Sequence, residues 1–402
     1  MNAGRRSVAG VGEQGPLSSI NLASRPSGWL NAVYLRDLAS SSRAVTPAEA
    51  RNSCRRYARR WIPMTQAADT PATTLLRLAN GYQISQVIHV AAELRLADLI
   101  GDEPVSTVDI ATRVGAHPGS LYRLLRALST VGIFRETDDR CFVASPMSDL
   151  LRADHSRSML GWATLIGRPY HWQIWGDLLH SVRTGEDATH HLYGVDIWQY
   201  RADKPEETTV FNAAMSALSR NVAPALIAAY DFTGFERIVD VGGANGALLA
   251  AILTASPRST GVVFDLPYVV REAASVIRVA GLAGRCETAE GSYLDGVPAG
   301  GDAYILKSVL MDSTDEEAAA ILQNVRTAMG AGGTLLVIEG VIGAPNEGQR
   351  DAFSDLMMLV VTGGRERTQD EWAAVFAAGG FTLDSITPTA SRFQVLEGHP
   401  SA

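Results

Sequence analysis

The sequence predicts an α/β protein in which a helical N-terminal part, with a winged-helix pattern, precedes a doubly wound sheet. Apolar runs of strand length alternate with helix-like segments from about residue 232 onward, as in a doubly wound sheet. Upstream, two short helical segments separated by a turn precede a hairpin pattern. We expect an Arg- and Ser-rich extension, a winged-helix domain, a helical linker and a sheet domain, at residues 1–69, 70–155, 156–231 and 232–402.

The composition is typical of a globular protein and argues against two kinds of partner. Of the 402 residues, 46% are hydrophobic and 19% are charged, and the net charge of −8 argues against nucleic acid. No run of about 20 apolar residues suggests a membrane span, and no secretory signal pattern is visible. We expect a cytoplasmic protein in which the widely spaced Cys54, Cys141 and Cys286 are free thiols.

The first 69 residues differ in composition from the rest. They hold ten arginines against four acidic residues, with many Ser, Ala and Gly, so little of this segment can bury a core. We expect it to be mostly disordered. Two alternatives stay open: an organelle transit peptide, which has this composition, or a start codon assigned too far upstream, with translation beginning at Met64.

The predicted winged helix follows one or two apolar helices between Thr73 and Ile100. A short helix, a turn through Gly115 and Pro118, a helix from Ser120 and a hairpin over residues 134–143 complete it.

Two functions suit this module. It would be a DNA reader if Arg123 and Arg126 on its second helix contacted bases or phosphates, which would make the protein a ligand-sensing transcription regulator. A packing module is favoured instead, because no basic stripe runs along the helix and because its broad apolar helices suit a dimer interface.

The linker reads as helical and rich in aromatic residues, some of which should face a ligand cleft. Its histidines, at positions 171, 180, 190 and 191, do not have the spacing of a metal site on one helix face, so we predict no metal.

The stretch over residues 236–267 predicts a strand, a Gly-rich turn and a helix of a parallel α/β unit. Gly242 and Gly246 permit positive φ and close approach of a ligand to the backbone. Asp240 would offer acceptors to a cationic ligand, and Asp265, at the end of the next strand, would bind ribose hydroxyls. As a dinucleotide fingerprint the turn is degenerate, and a nicotinamide oxidoreductase stays an alternative.

The remaining segments continue the alternation. A strand ends near Lys307, a capped helix follows from Thr314, and the later elements are predicted at residues 333–339, 352–361, 369–378, 381–387 and 392–396, the last two as a closing hairpin.

Six ordered stretches resemble the small-molecule O-methyltransferases of the plant caffeate type and their bacterial natural-product relatives. They lie at residues 211–215, 239–246, 264–267, 304–310, 355–359 and 363–368, within a resemblance that runs from about Leu75 to the C-terminus. The resemblance implies a winged-helix dimerisation domain, a Rossmann-like, seven-stranded class I methyltransferase domain and a homodimer.

The resemblance also implies site residues. Those for S-adenosylmethionine would be Asp240, Gly242, Gly246, Asp265, Leu266, Ser292, Tyr293, Lys307 and Ser219. Those for the acceptor would be Phe211, Met215, Met311, Asp355 and Met358.

Two positions depart from the family pattern. Met311 stands where the family has the histidine that acts as general base, and a thioether cannot take a proton. Ser292 replaces the usual acid beside the adenine, which should weaken cofactor binding. The carboxylates that flank the base in the family are retained as Glu339 and Glu366, which makes them the catalytic candidates.

Three mechanisms follow for the missing base. Glu339 or Glu366 deprotonates the acceptor directly, an already acidic phenol or enol needs only alignment, or the bound cofactor serves hydroxylation or decarboxylation without methyl transfer. Alternatively, the glutamates only form ion pairs, for instance Glu366 with Arg365 or Arg367. The sequence thus predicts an O-methyltransferase for a hydroxyl of an aromatic or polyketide-like small molecule, with no nucleic-acid or membrane partner.

Overall fold

The described part of the chain comprises residues 70–330 and 332–401 of a computed structural model. The predictions for the N-terminal extension, including those for Cys54 and Met64, lie outside the described residues. Among the residues that are described, no helix is long and apolar enough to cross a membrane.

The predicted winged-helix module is present. Its helices are α1 to α5, at Pro71–Ala79, Gly81–Glu93, Leu96–Leu99, Thr107–Val114 and Pro118–Thr130. Its small antiparallel sheet has the order β1-β3-β2, with the strands β1 to β3 at Val105–Ser106, Arg135–Glu136 and Cys141–Val143.

The helix α5 begins two residues before the predicted Ser120. Pro118 occupies its first turn, where no backbone N–H is needed, and the His117 side chain accepts the N–H of Ser120 at 3.2 Å. The prediction treated Pro118 as part of the turn, although it is a good first residue of a helix.

An apolar face is left uncovered on the first two helices among the described residues. Leu75, Leu76 and Leu78 of α1 are each more than 60% exposed, and Tyr82 of α2 is 54% exposed. Exposed apolar patches of this kind commonly mark an interface with another protein.

The short helix α6, at Pro146–Asp149, follows β3 within the predicted winged-helix domain. Six helices form the linker and pack against the C-terminal part. They are α7 to α12, at Leu160–Leu165, Pro169–Gly176, Leu178–Thr184, Ala188–Tyr193, Ile197–Ala202 and Pro205–Ala229. Their shared core includes Tyr170 and Ile174 and extends to Val360 and Val361, which come from a later helix.

The predicted sheet has seven strands. The first five in chain order, β4 to β8, are Arg237–Val241, Thr260–Asp265, Cys286–Glu290, Ala303–Lys307 and Thr334–Glu339, and they are mutually parallel. The closing hairpin, β11 and β12 at Phe381–Pro388 and Gln394–Pro400, adds antiparallel strands, and a short parallel pair, β9 and β10, lies at Val341–Ile342 and Arg367–Thr368. With the two strands of the closing hairpin, the spatial order of the sheet is β11-β12-β8-β7-β4-β5-β6.

Helices cover both faces of the sheet. They are α13 to α18, at Ala247–Ala255, Pro267–Val270, Ala273–Val279, Asp315–Ala328, Gln349–Val361 and Gln369–Ala378. One apolar cluster lies on each face of the sheet. The first includes residues of α13 and α15, and the second includes residues of α16 and α18. The buried Cys286 is a free thiol.

The parallel strands bring their carboxyl ends to one edge of the sheet. Asp240, Asp265, Lys307 and Glu339 come from the ends of four different strands and therefore converge there. In open α/β sheets this edge is where ligands bind.

Candidate active site

The Gly-rich turn between β4 and α13 has the backbone that the sequence predicts. Gly242 and Gly246 have φ of +70° and +75°, in the left-handed region that favours glycine. A Cβ atom on Gly242 would lie 2.6 Å from Val309 Cγ2, and one on Gly246 would lie 2.9 Å from Val263 Cγ2. Neither position has room for a larger residue.

Asp265 connects this turn to the end of β5. Its Oδ1 accepts the N–H of Leu266 at 2.7 Å, and its Oδ2 accepts the N–H of Ala244 at 2.8 Å. Burial raises its pKa, while these two amides oppose the rise. Each oxygen keeps a free lone pair, so the oriented carboxylate can accept from a pair of hydroxyls.

Asp240 has an unpartnered acceptor that fits a cationic ligand. It is 2% exposed, and its Oδ2 has no hydrogen-bond partner within the described ranges. A Cβ atom at Gly243 would lie 2.9 Å from the same oxygen, so the glycine leaves it uncovered. Burial raises its pKa to about 7, and Lys307 opposes the rise. A cationic ligand fits here, because it would complete the hydrogen bonding and compensate the buried charge.

The other predicted cofactor residues lie around the same edge. Tyr293 packs against the α16 side of the core, and burial followed by Asp312 and Asp265 raises its pKa. Lys307 donates to Ser308 Oγ at 3.1 Å and lies 4.7 Å from the Phe393 ring centroid. Burial lowers the pKa of Lys307, and Glu339 opposes this.

The other two predicted cofactor residues, Ser292 and Ser219, are half-buried. Ser292 Oγ accepts the N–H of Leu294 at 3.2 Å, as in a local turn. Ser216 of α12 lies against the turn, where its hydroxyl accepts from the Asn245 side chain, and the role of Ser219 stays a prediction. The sequence analysis missed this contact, although the Asn in the Gly-Ala-Asn-Gly turn was a polar side chain in need of a partner.

Met311 lies in a 3₁₀ turn, Leu310–Asp312, that is held on both sides. Glu339 Oε1 accepts the N–H groups of Val309, Leu310 and Met311 at 2.9, 3.1 and 3.4 Å. On the other side, buried Arg367 donates to the Leu310 carbonyl at 2.8 Å.

A glycine seals the back of the same turn. A Cβ atom on Gly364 would lie 2.2 Å from the Met311 carbonyl oxygen. We expect Gly364→Ala to displace the turn and to cost about 1–3 kcal/mol of stability together with most of the activity. Thermal unfolding and turnover would show this, with Gly343→Ala as the control, since the nearest atom to its Cβ is 3.9 Å away. Equal behaviour of the two variants would contradict the tight packing of the turn.

Glu366 pairs with a residue that the sequence analysis did not name. Its Oε1 accepts from Ser354 Oγ at 2.6 Å and from Arg392 Nη1 at 2.9 Å. The other nitrogen of that guanidinium lies 3.9 Å from Met311 Sδ. Arg392 thus borders the position at which the family has its histidine.

The alternative that Glu366 forms an ion pair holds, but its partner is Arg392 and neither Arg365 nor Arg367. Arg365 pairs with Glu371 and Asp315, and Arg367 pairs with Asp315 at 2.7 Å. Neighbouring residues of an extended chain point to opposite sides, so the flanking arginines face away from Glu366.

Both catalytic candidates are buried. Glu339 and Glu366 are 0% and 1% exposed, and each keeps one oxygen without a partner among the described residues. Burial raises the pKa of Glu339, and the charge of Glu366 raises it further. The three amides from which Glu339 accepts support a role in positioning Met311. Direct deprotonation would need the free oxygen within reach of the acceptor, and that role stays a prediction.

The predicted acceptor residues come from two helices. Phe211 and Met215 of α12 are half-buried in the aromatic cluster of the linker, and Met358 of α17 is buried. Asp355 does not present its carboxylate freely, because Oδ1 accepts the N–H of Glu366 at 2.9 Å. Asp312, beside Met311, keeps an accessible part, and burial raises its pKa to about 7.

The structure brings together one group of possible metal ligands whose two histidines come from different helices, which the spacing along a single helix did not indicate. Asp177, His180 and His191 bring possible metal-ligand atoms within 4.8 Å of one another. The two imidazole rings stack in parallel, with centroids 3.6 Å apart, so their nitrogen lone pairs do not converge on one point.

The chain matches two family models. One describes an O-methyltransferase domain, over residues 175–382, and the other an O-methyltransferase dimerisation domain, over residues 76–154. The phenazine O-methyltransferase PhzM of Lysobacter antibioticus is 39% identical over 82% of this chain and 96% of that protein. The mitomycin biosynthesis 6-O-methyltransferase of Streptomyces lavendulae is 36% identical over 81% and 93%.

Solved structures agree with these matches. The crystal structure of LaPhzM has a TM-score of 0.80 at 38% identity and covers 83% of this chain and 100% of that chain. A more distant relative, the aclacinomycin 10-hydroxylase RdmB of Streptomyces purpurascens, is 31% identical over 83% of this chain and 91% of that protein. The chain belongs to the O-methyltransferase family and is an S-adenosylmethionine-dependent methyltransferase.

Proposed function

We propose that the chain methylates an acidic hydroxyl of a planar aromatic small molecule and that the protein aligns the reactants without a histidine base. The observation that carries this proposal is the hydrogen-bonded turn around Met311, which has a thioether at its centre and two buried carboxylates behind it. Relatives named for phenazine and mitomycin support an aromatic acceptor.

The residues at the sheet edge would hold the cofactor. When bound, S-adenosylmethionine supplies an electrophilic methyl group. Asp240 would bind the cationic part, Asp265 the ribose hydroxyls, and Leu266 with Tyr293 an apolar platform for adenine. Gly242 and Gly246 would leave room for the ligand.

The acceptor would lie between α12 and the Met311 turn. Phe211 and Met215 would contact one face of a flat ring, and Met311 with Met358 would contact the other side. Alignment of this kind can supply up to about 7–11 kcal/mol of the acceleration. A hydroxyl with a pKa near neutral loses its proton to water, so the protein only has to align the resulting anion with the methyl group.

Assembly as a homodimer in the cytoplasm is part of the proposal. The dimerisation domain and the uncovered apolar face of α1 and α2 support a dimer. The net charge of −8 supports a packing role for the winged helix over DNA binding. Weak binding to duplex DNA that is insensitive to salt would agree with this.

A second function is favoured by two observations. The family's histidine is replaced, and one relative is named as a 10-hydroxylase, so the chain would bind the cofactor and promote decarboxylation, or hydroxylation by molecular oxygen with an added reductant that reduces the second oxygen atom to water. The test is incubation with methyl-labelled S-adenosylmethionine and a panel of phenols of graded pKa. Labelled ethers from the acidic phenols would support methylation, and unlabelled hydroxylated or decarboxylated products would support the second function.

Met311→His tests the alignment mechanism directly. If no side chain now takes the proton, an imidazole at this position should raise methylation of ordinary phenols by about 10²-fold or more and leave acidic phenols nearly unchanged. Rates measured against the acceptor pKa would show a flatter dependence in the variant. Met311→Leu is the control, and the proposal fails if it matches Met311→His or if wild type methylates all phenols equally.

A further inference from the structure

Arg201, on α11, is a buried cation with no carboxylate in ion-pair contact among the described residues. It is 5% exposed, and its guanidinium carbon lies 3.6 Å from the Phe211 ring centroid and 5.3 Å from that of Trp198. Its Nε has no hydrogen-bond partner within residues 70–330 and 332–401. No carboxylate in those ranges lies within 4.0 Å of the guanidinium.

The hydroxyl of Tyr170 is a polar neighbour of Arg201 but supplies no counter-charge. Its ring centroid lies 6.0 Å from the guanidinium carbon, and Arg201 opposes the rise in pKa that burial gives Tyr170, both by its charge and by a side-chain contact. That contact does not have the geometry of a hydrogen bond, and the hydroxyl oxygen has no other partner among the described residues. Aromatic rings attract a cation, but they do not neutralise it.

Within the described ranges, the buried Arg367 and the half-buried Arg392 each have a carboxylate partner. Arg367, which is 0% exposed, donates to Asp315 at 2.7 Å and to the Ser313 carbonyl at 2.9 Å. Arg392 has Glu366 at 2.9 Å. An uncompensated buried charge is costly, so a fold that keeps one commonly does so for a ligand.

The guanidinium lies near residues that we assign to the acceptor and to the cofactor, and it stacks on Phe211. Its charge lowers the pKa of Asp312, next to Met311, and of Tyr268, which follows the Asp265 loop. It also adds to the effect of burial in lowering the pKa of His171 to about 4, so this neighbour is neutral. Phe211, which it stacks upon, is a proposed acceptor contact.

We propose that Arg201 binds an ionised carboxylate carried by the aromatic acceptor. The planar guanidinium can donate to both carboxylate oxygens, while Phe211 and Trp198 contact the ring of the same molecule. The preferred substrates are therefore hydroxylated aromatic carboxylic acids. This inference rests on the proposed function, because it uses the proposed acceptor cleft.

The test uses 1,4-dihydroxy-2-naphthoate and its methyl ester, which differ in charge and hardly in shape. Binding of each to the S-adenosylhomocysteine-saturated protein is measured by calorimetry for wild type, Arg201→Met and Arg201→Lys. Wild type should prefer the acid. Arg201→Met should weaken acid binding by about 30-fold or more and ester binding by less than about 3-fold, with Arg201→Lys between them. Arg220→Met, on the exposed side of α12, is the charge-matched control and should behave as wild type.

Circular dichroism shows whether each variant is folded. If Arg201→Met does not fold, the comparison is made between wild type and Arg201→Lys. Equal affinity of wild type for acid and ester would overturn the inference. The inference would also be overturned if Arg201→Met lost affinity equally for both probes. The same holds if the variant lost affinity for S-adenosylmethionine while it still preferred the acid. An acid preference that depends on Arg201, in a protein that transfers no methyl group, would leave the inference standing and reject the proposed function alone.

Discussion

Asp240→Asn is expected to weaken the binding of S-adenosylmethionine by about 30-fold or more. The variant keeps the shape of a carboxylate that is 2% exposed but removes its charge, and losing one member of a buried charge pair costs about 2–5 kcal/mol. Calorimetric titration measures the change. Asp370→Asn, exposed in the first turn of α18, is the control that alters the net charge equally.

The same variant separates binding from folding. Burial raises the pKa of Asp240 to about 7 in the folded protein, so the folded state binds more protons than the unfolded state between about pH 4 and 7. Its ionisation therefore lowers stability as the pH rises through that window, and the asparagine removes this loss. At pH 8 the variant should be at least as stable as wild type, and a lower Tm together with weak binding would point to misfolding instead.

Arg392→Met is expected to lower the free energy of unfolding by about 3–5 kcal/mol. Removal of the guanidinium leaves Glu366, which is 1% exposed, without its counter-charge, and Asp351 loses the same neighbour at 3.5 Å. Thermal and urea unfolding measure the loss. Arg365→Met is the matched control, since its pairs with Asp315 and Glu371 are exposed and should be worth less than about 1 kcal/mol.

A double variant tests the cause of that loss. Arg392→Met combined with Glu366→Gln removes both charges, and much of the stability should return because no buried charge is left alone. Additive losses in the double variant would mean that Arg392 stabilises the fold through its packing on Phe393, 4.4 Å away, and not through Glu366.

The sequence predicts the elements whose own residues determine them. The strands β4, β5, β7 and β8 are apolar runs. Gly242 and Gly246 indicate a turn in which both positions require glycine. The edge strand β6, Cys-Glu-Thr-Ala-Glu, escapes prediction because one face is solvated and the run is polar. The short pair of β9 and β10 holds only two residues per strand and has no local pattern.

The site shows the same limit. Asp240 and Asp265 follow their strands directly, so their convergence could be foreseen from the parallel order. Arg392, the partner of Glu366, lies 26 residues further along the chain, and Arg201, which stacks on Phe211, lies on a different helix. Which side chain contacts which charge therefore depends on the tertiary packing. Burial of Glu339 and Glu366 likewise depends on the whole fold, so it could not be predicted from their local sequence.

The most direct test of the account is a calorimetric titration of wild type with S-adenosylmethionine at pH 6 and pH 8. The cationic ligand prefers the ionised form of Asp240, whose pKa is about 7 in the free protein, so affinity should rise with pH and protons should be released on binding. The account predicts one site per chain, tighter at pH 8, and a flat profile in Asp240→Asn. Absence of binding by folded protein, or binding with no dependence on pH, would contradict it.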